Sequence, residues 1–176
     1  MGTASNINVG ALTSIKFAAY LASKVVSLTY TDPGFTNGGV SFDPKTELHL
    51  VTVDQHLGNL AAIPKSRDLE IKVKLAEGTL SNLQYALAQA TGNLSGTQSL
   101  FYNASDPEIY YQLQVVGKGN GATGVRTMTV WKAYLKDMGS LMFKKDAAQE
   151  PDLTFGVCEE TTGSTSSGTF MRFFDA

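Results

Sequence analysis

The sequence predicts an antiparallel, mostly-β (α+β) domain with one helix. Three observations carry that prediction. Stretches of period-two alternation recur along the chain, one segment breaks to helical spacing, and the order runs strands, helix, strands. Alternating βαβ units would place a helix between successive strands, and this order does not. At 176 residues the chain is long enough for one domain with a real core.

Taken in order, Ala11 to Lys24 fits two periods. Leu12, Ile15, Ala19 and Ala22 suit a helix, while Ile15, Phe17 and Ala19 suit a strand, the reading adopted here. TDPGFTNGGVSFDPK reads as a long loop, set at 32–46, because Gly, Pro, Asn and Asp each favour turn geometry. Yet Phe35, Val40 and Phe42 sit in it, and apolar residues on a loop need burial. TELHLVTVD returns to alternation, with Leu48 and Leu50 as its apolar set. DLEIKVKLAE is the clearest strand: Leu69, Ile71, Val73 and Leu75 alternate with Glu70, Lys72 and Lys74.

TLSNLQYALAQATG predicts the one helix, about 79–91, with Leu80, Leu83, Leu87 and Ala90 on a stripe. Ser81 and Gln84 form a capping box, Thr79 is a rival cap, and Gly92 can end the helix in the left-handed conformation. IYYQLQVV alternates again through Ile109, Tyr111, Leu113 and Val115, and LTFGVCEE through Leu153, Phe155 and Val157. The chain closes on TTGSTSSGTFMRFFDA. Here a Ser/Thr/Gly spacer precedes Phe170, Met171, Phe173 and Phe174, which dock either on this domain or on a neighbour. This sets residues 161–176 apart as a linker and aromatic arm after a β domain over 1–160.

Between two of these strands lies GNGATG, where Gly119, Gly121 and Gly124 fit G-x-G-x-x-G. A dinucleotide site needs a helix after the third glycine, since its N-terminus holds the pyrophosphate. VRTMTVWKAYL follows instead, rich in β-branched and aromatic residues that form strands. The motif is therefore a hairpin connection joining strands at roughly 109–117 and 125–136, and no cofactor is expected.

The remaining chemistry is sparse. His49 lies in a strand and His56 in the turn after it, without the spacing of a zinc pair. No G-x-S-x-G elbow appears, and Asp32, Asp43 and Asp54 sit in or beside turns. Glu159 and Glu160 read as a strand end. Cys158 is the single cysteine, so no intramolecular disulfide can form, which suits a reducing compartment. No stretch has the length and apolarity of a membrane span, and the N-terminus lacks the pattern of a signal peptide. The sequons at Asn93 and Asn103 are read as chance matches. With 14 basic against 16 acidic residues, scattered, there is no basic footprint for gripping nucleic acid. No catalytic, cofactor or metal residues are assigned.

Four stretches together resemble the tail tube proteins of tailed bacteriophages. TDPGFTNGGVSF is similar to the family's loop with a late Gly-Gly pair. VTVDQHLGNL resembles the strand ending in Asp-Gln, and LEIKVKLAEGTLSNLQYALAQATG the strand leading into a short leucine-bearing helix. VRTMTVWKAYLKDMGSLMFKKDAAQEPDLTFGVCEE resembles the closing hairpin with a Lys-Asp turn. The resemblance implies an antiparallel β-sandwich or half-barrel with one α-helix packed outside. It implies a non-enzymatic virion protein, assembled in the host bacterial cytoplasm. Its subunits close into rings, six to a ring, that stack as a tube. Implied partners are further copies of itself, a tape-measure protein, and a sheath or terminator. DNA passes only transiently through the lumen, and a weakly acidic lining would repel it gently. Candidate contacts between subunits are Phe35, Val40, Phe42, Phe170, Met171, Phe173 and Phe174. Two other classes stay open: a tail-terminator, neck or injection-device tube protein of related fold, and a ligand-binding or enzymatic β domain.

Overall fold

The structure is a computed structural model describing residues 12–20, 29–52, 60–96, 98–119, 124–141, 145, 149–161 and 168–175. Ala22, Lys24, Asp54, His56 and the interior of GNGATG lie outside the described residues, as does the N-terminal MGTASN. The strands are β1 Leu12–Ala19, β2 Thr36–Val51, β3 Ala61–Leu75, β4 Leu94–Ser95, β5 Ser99–Leu100, β6 Tyr110–Lys118, β7 Val125–Met138, β8 Asp152–Val157 and β9 Met171–Asp175. One short helix, α1 Leu80–Ala86, and a 3-10 turn, Thr91–Asn93, stand between β3 and β4.

The main sheet runs β1-β6-β7-β8-β3-β2, with every pair antiparallel and β9 also paired to β7. β4 and β5 form a separate two-stranded hairpin. Alternation places Ile15 and Phe17 of β1, Tyr111, Leu113 and Val115 of β6, Leu153, Phe155 and Val157 of β8, and Leu69, Ile71, Val73 and Leu75 of β3 in one buried cluster. β1 and β8 are three strands apart, which is about 14 Å in a flat sheet. Yet the rings of Phe17 and Phe155 stand 5.8 Å apart. The sheet is therefore curled, an open half-barrel around its own core. Helix α1 covers that core through Ala86, fully buried, and Tyr85, stacked on Phe17 at 5.0 Å.

Two local expectations need correction, and one strand departs from plain alternation. The first is the long loop at 32–46, most of which is the first half of β2. Gly38 and Gly39 take left-handed φ values of 82° and 79° and form a bulge. The five residues Thr36 to Val40 of β2 lie opposite the three residues Leu75 to Val73 of β3, and Phe42 then pairs with Ile71. The turn-forming residues reflect a bulged edge strand, where proline such as Pro44 is also tolerated.

The second concerns the helix. It is seven residues long, and Thr79 is its N-cap, accepting from the Asn82 amide at 3.2 Å. Gln84 forms no capping box and donates instead to the carbonyls of Gln89 and Ala90. The helix ends before Gly92. Ala88 adopts φ 48°, its N–H donates to the carbonyl of Tyr85, and that of Gln89 donates to Gln84. This is a Schellman arrangement with alanine where glycine is usual. Left-handed alanine costs about 1 kcal/mol. Ala88→Gly is thus expected to raise the unfolding free energy by about that much, read as a higher urea midpoint.

The strand that departs from plain alternation is β7, whose inward set is not one parity. Met128 and Val130 are buried, and then Ala133. A register shift opposite Tyr111 to Leu113 inserts an extra residue at Trp131–Lys132 and turns the strand over. Simple alternation cannot show such a bulge. The hairpin reading of GNGATG is sound: β6 and β7 pair along their length, and the Gly119 N–H donates to the Gly124 carbonyl at 2.7 Å. A Cβ on Gly119 would lie 2.9 Å from backbone carbons of Gly124 and Val125, so glycine is needed for the strands to close.

Candidate functional site

The features that stand out are strand edges and uncovered apolar surface. β2 ends the strand order, so beyond it no strand lies among the described residues. An unpaired edge of sixteen residues offers a row of backbone donors and acceptors. At the other end of the order, β1 is bridged among the described residues at one point, by mutual bonds between Phe17 and Thr31 of 2.9 and 2.7 Å.

The distal half of β2 and β3 leaves the body altogether. β8 pairs with β3 from Glu70 to Lys74, so among the described strands Ala61 to Asp68 pair with β2 alone. Leu48 pairs with Pro64 and Leu50 with Ala62, on one face of this ribbon, and both leucines are about half exposed. Ile63, on the opposite face, and Leu60 are uncovered too. The apolar set expected in the core is thus on the surface. A lone two-stranded ribbon is marginal in water, and an apolar face on it needs a cover.

Among the described residues Phe35 is the most exposed large apolar side chain, at 80%. Its backbone is nevertheless held firmly. Its N–H donates to Glu77 Oε1, its carbonyl accepts from Ala76, Asn82 Nδ2 donates to the Pro33 carbonyl, and Gly34 N–H donates to Asp32 Oδ1. A rigid loop presenting an aromatic side chain loses little entropy on docking. Val40 and Phe42, by contrast, pack partly against this chain's own core.

The C-terminal aromatics divide in the same way. β9 lies along Arg126–Val130 of β7, placing Phe170 and Met171 against the core. Phe173 and Phe174 remain half exposed. Asp175 clamps the strand with a two-point ion pair to Arg126 at 2.6 and 2.7 Å, which holds the Asp175 carboxyl below its usual range.

The face of the sheet turned away from the core is charged. Asp43 meets Lys72 at 3.1 Å, and Glu150 meets Lys74 at 2.5 Å. Glu70 accepts from Lys136 through one oxygen and pairs with Lys45 at 2.9 Å through the other. Gly156 lies between them in the sheet, and a Cβ there would fall 2.5 Å from the Tyr134 ring. Lys136 and then Lys45 pull the Glu70 carboxyl from its usual 4.5 down to about 2. A depressed carboxyl stabilises the fold fully above its ordinary range and loses that contribution as pH falls through its folded value. The urea midpoint is expected to fall as pH drops from 4.5 toward 2, and Glu70→Gln to flatten that fall.

His49 stands exposed on the ribbon. Among the described residues no group of three or more His, Cys, Asp or Glu gathers as a metal site would require, and no helix is long and apolar enough to cross a membrane.

No family model and no curated protein matches the chain. Among solved structures it is similar to a chain of the anti-feeding prophage baseplate, determined by cryo-electron microscopy with six-fold symmetrisation. The TM-score is 0.47 at 12% identity, over 96% of this chain and 97% of that one.

Two surface features were not anticipated from sequence. One is the ribbon, where Leu48 and Leu50 alternate as core residues do and only the partner segment AAIPKS signals a missing body. The other is the aromatic pair Phe101 and Tyr102, 62% and 71% exposed after β5. An amide network fixes that loop: Gln89 Oε1 accepts from Asn103 N–H and Asn93 Nδ2, and Asp106 accepts from both asparagine side chains. The half-buried Asn93 side-chain nitrogen is thereby engaged in two hydrogen bonds, to Gln89 and Asp106.

Proposed function

We propose that this chain is the ring subunit of a bacteriophage tail tube, a structural protein that closes into rings, six to a ring, which stack into a conduit for DNA. The observation that carries the reading is the combination of a terminal β2 edge with an apolar ribbon that its own body leaves uncovered. A neighbouring copy supplies what both lack, a strand for the edge and apolar surface for the ribbon. The likeness in sequence to tail tube proteins supports the same reading. Phe35, Phe173 and Phe174, exposed on held backbone, are assigned to contacts between subunits. Val40, Phe42, Phe170 and Met171 are assigned to the seam where those contacts meet the core. Leu48, Leu50 and Ile63 join them. A tape-measure protein inside and a sheath or terminator outside are the further partners. No residue is assigned to catalysis.

The test is direct. The purified full-length chain is concentrated and followed by light scattering and negative-stain electron microscopy. Rings with six-fold averages, and tubes at higher concentration, are expected. A monomer at every concentration would overturn the proposal. Rings that close but never stack would favour a terminator-like role on the same fold.

A further inference from the structure

We propose that Asn37 is a site of spontaneous deamidation, and that its conversion to aspartate or isoaspartate loosens the β2 edge. Asn37 precedes Gly38, and the residue after an asparagine supplies the nitrogen that attacks its side chain. Glycine has no Cβ to shield that nitrogen. A regular strand would protect such a pair, because the ladder ties up the backbone N–H. Here the bulge does the opposite. Thr36 is in register with Leu75 and Val40 with Val73, and no residue of β3 is in register with Asn37, Gly38 or Gly39. Asn37 and Gly38 are exposed. Among the described residues, nothing beyond its chain neighbours lies within 4 Å of where a Cβ on Gly38 would stand. The reaction needs only water. The Gly38 nitrogen loses its proton to solvent and bonds to Cγ of Asn37. The Cγ–Nδ2 bond breaks, and Nδ2 leaves as ammonia with a proton from water. Water then opens the cyclic imide at either carbonyl, giving aspartate or isoaspartate, with no net oxidation or reduction.

The place of Asn37 Nδ2 makes the change consequential. It donates to both oxygens of Glu150, at 3.1 Å each, and Glu150 pairs in turn with Lys74 at 2.5 Å. Glu150 stands just before β8, and β3 lies between β8 and β2, so the cluster ties the bulge of β2 across β3 to the start of β8. Beside it the Pro151 carbonyl accepts from Leu75 N–H at 2.9 Å. Lys74 first, and the Asn37 amide second, hold the Glu150 carboxyl below its usual range. A carboxylate at position 37 has no proton to donate. Two anions then face each other across one lysine, and the tie becomes a repulsion. Isoaspartate also adds one carbon to the main chain, at the bulge that sets the register of β2. The biological setting rests on the ring reading, in which a neighbour's strand covers this edge. Subunits in a ring keep Asn37 shielded, while those left outside one lose the amide and, with it, the hold on the edge.

The test holds the folded full-length chain at low concentration in mildly alkaline buffer and follows it by peptide mapping with mass spectrometry. The peptide carrying Asn37 is expected to gain one mass unit and to be labelled by a methyltransferase specific for isoaspartate. Mapping is needed because Asn120–Gly121 is a second pair of the same kind. Asn82, Asn93 and Asn103 precede Leu83, Leu94 and Ala104 and are expected to stay unchanged. Gly38→Ala is expected to slow the gain at least about tenfold, since a Cβ crowds the attacking nitrogen. Asn37→Gln keeps the amide and cyclises far less readily, and it serves if Gly38→Ala does not fold. Conversion of Asn37 in urea but not in the folded chain overturns the assignment, because the fold is then its protection. The consequence is read on Asn37→Asp. Its urea midpoint is expected to lie below that of Asn37→Gln at low salt, with the gap closing as salt screens the repulsion. Equal midpoints at low salt overturn the loosening. Both readouts use the monomer, so failure here leaves the ring proposal standing, and a chain that forms no rings leaves both readable.

Discussion

Phe17→Ala is expected to cost about 3–5 kcal/mol, the range for removing a large aromatic side chain from a packed core. Phe17 is fully buried and joins three parts of the molecule. It sits on β1, stacks on Tyr85 of α1, and meets Phe155 of β8. These contacts hold the curl of the sheet and seat the helix on it. Domains of this kind are stable by roughly 5–15 kcal/mol in total, so the variant should be marginal at 25 °C. Urea unfolding followed by near-ultraviolet circular dichroism measures this directly. Phe35→Ala is the matched control, expected to change stability by no more than about 0.5 kcal/mol, as exposed positions do. Equal shifts for the two phenylalanines would mean that the curl is held elsewhere.

The contrast between these residues shows how much of the fold was legible. Leu69 to Leu75, Tyr111 to Val115 and Leu153 to Val157 were readable because one face of each stretch is buried along its whole length. Burial on one side of those stretches, though not of the distal half of β3, writes a period of two into the residues themselves. Three other elements were not readable in this way. β2 carries turn-forming residues because it is an edge strand with a glycine bulge, and edge and loop share a composition. β7 changes its inward parity at a bulge. The leucines of α1 are only partly buried, while Asn82, Gln84 and Ala86 are buried, since Asn82 and Gln84 bond to carbonyls of neighbouring loops. A leucine stripe marks a helix, and it does not say which side the protein covers.

The surface was less legible than the core. Phe35, Phe173 and Phe174 were singled out because aromatic residues among turn-formers have no local reason to be there. Leu48 and Leu50 were missed as surface because their pattern is that of a core strand. The difference lies in what stands beside them. Ile71, in the body of the sheet, has a strand partner on both sides, Phe42 and Phe155, whereas Leu48 and Leu50 have a partner on one side only.

A second large effect is expected at the ribbon. Leu48→Asp with Leu50→Asp should leave the monomer folded, since both side chains are exposed and the segment contributes nothing to the core cluster. Assembly should fail. Fully burying a leucine contributes about 1.5–3 kcal/mol, and half of each side chain is already covered, so losing two raises the concentration needed for rings by at least about tenfold. Analytical ultracentrifugation alongside thermal unfolding separates the two consequences. Rings at the wild-type concentration would remove the ribbon from the interface. Unfolding of the double variant would instead give the ribbon a part in the monomer's own stability.

The strand order also sets a timetable. β1 is made first, yet Ile15 and Phe17 pair with Val115 and Leu113 of β6, which leave the ribosome much later. β2 and β3, neighbours in sequence, can form their hairpin at once. During synthesis the chain therefore carries an apolar strand with no partner beside a ribbon with an uncovered face. Long-range pairing is slow, and such intermediates aggregate. A cell making many copies would hold this half-finished barrel at high local concentration. The step most exposed to failure is then the wait for β6, and a chaperone that shields β1 would raise the yield of subunits more than any gain in final stability.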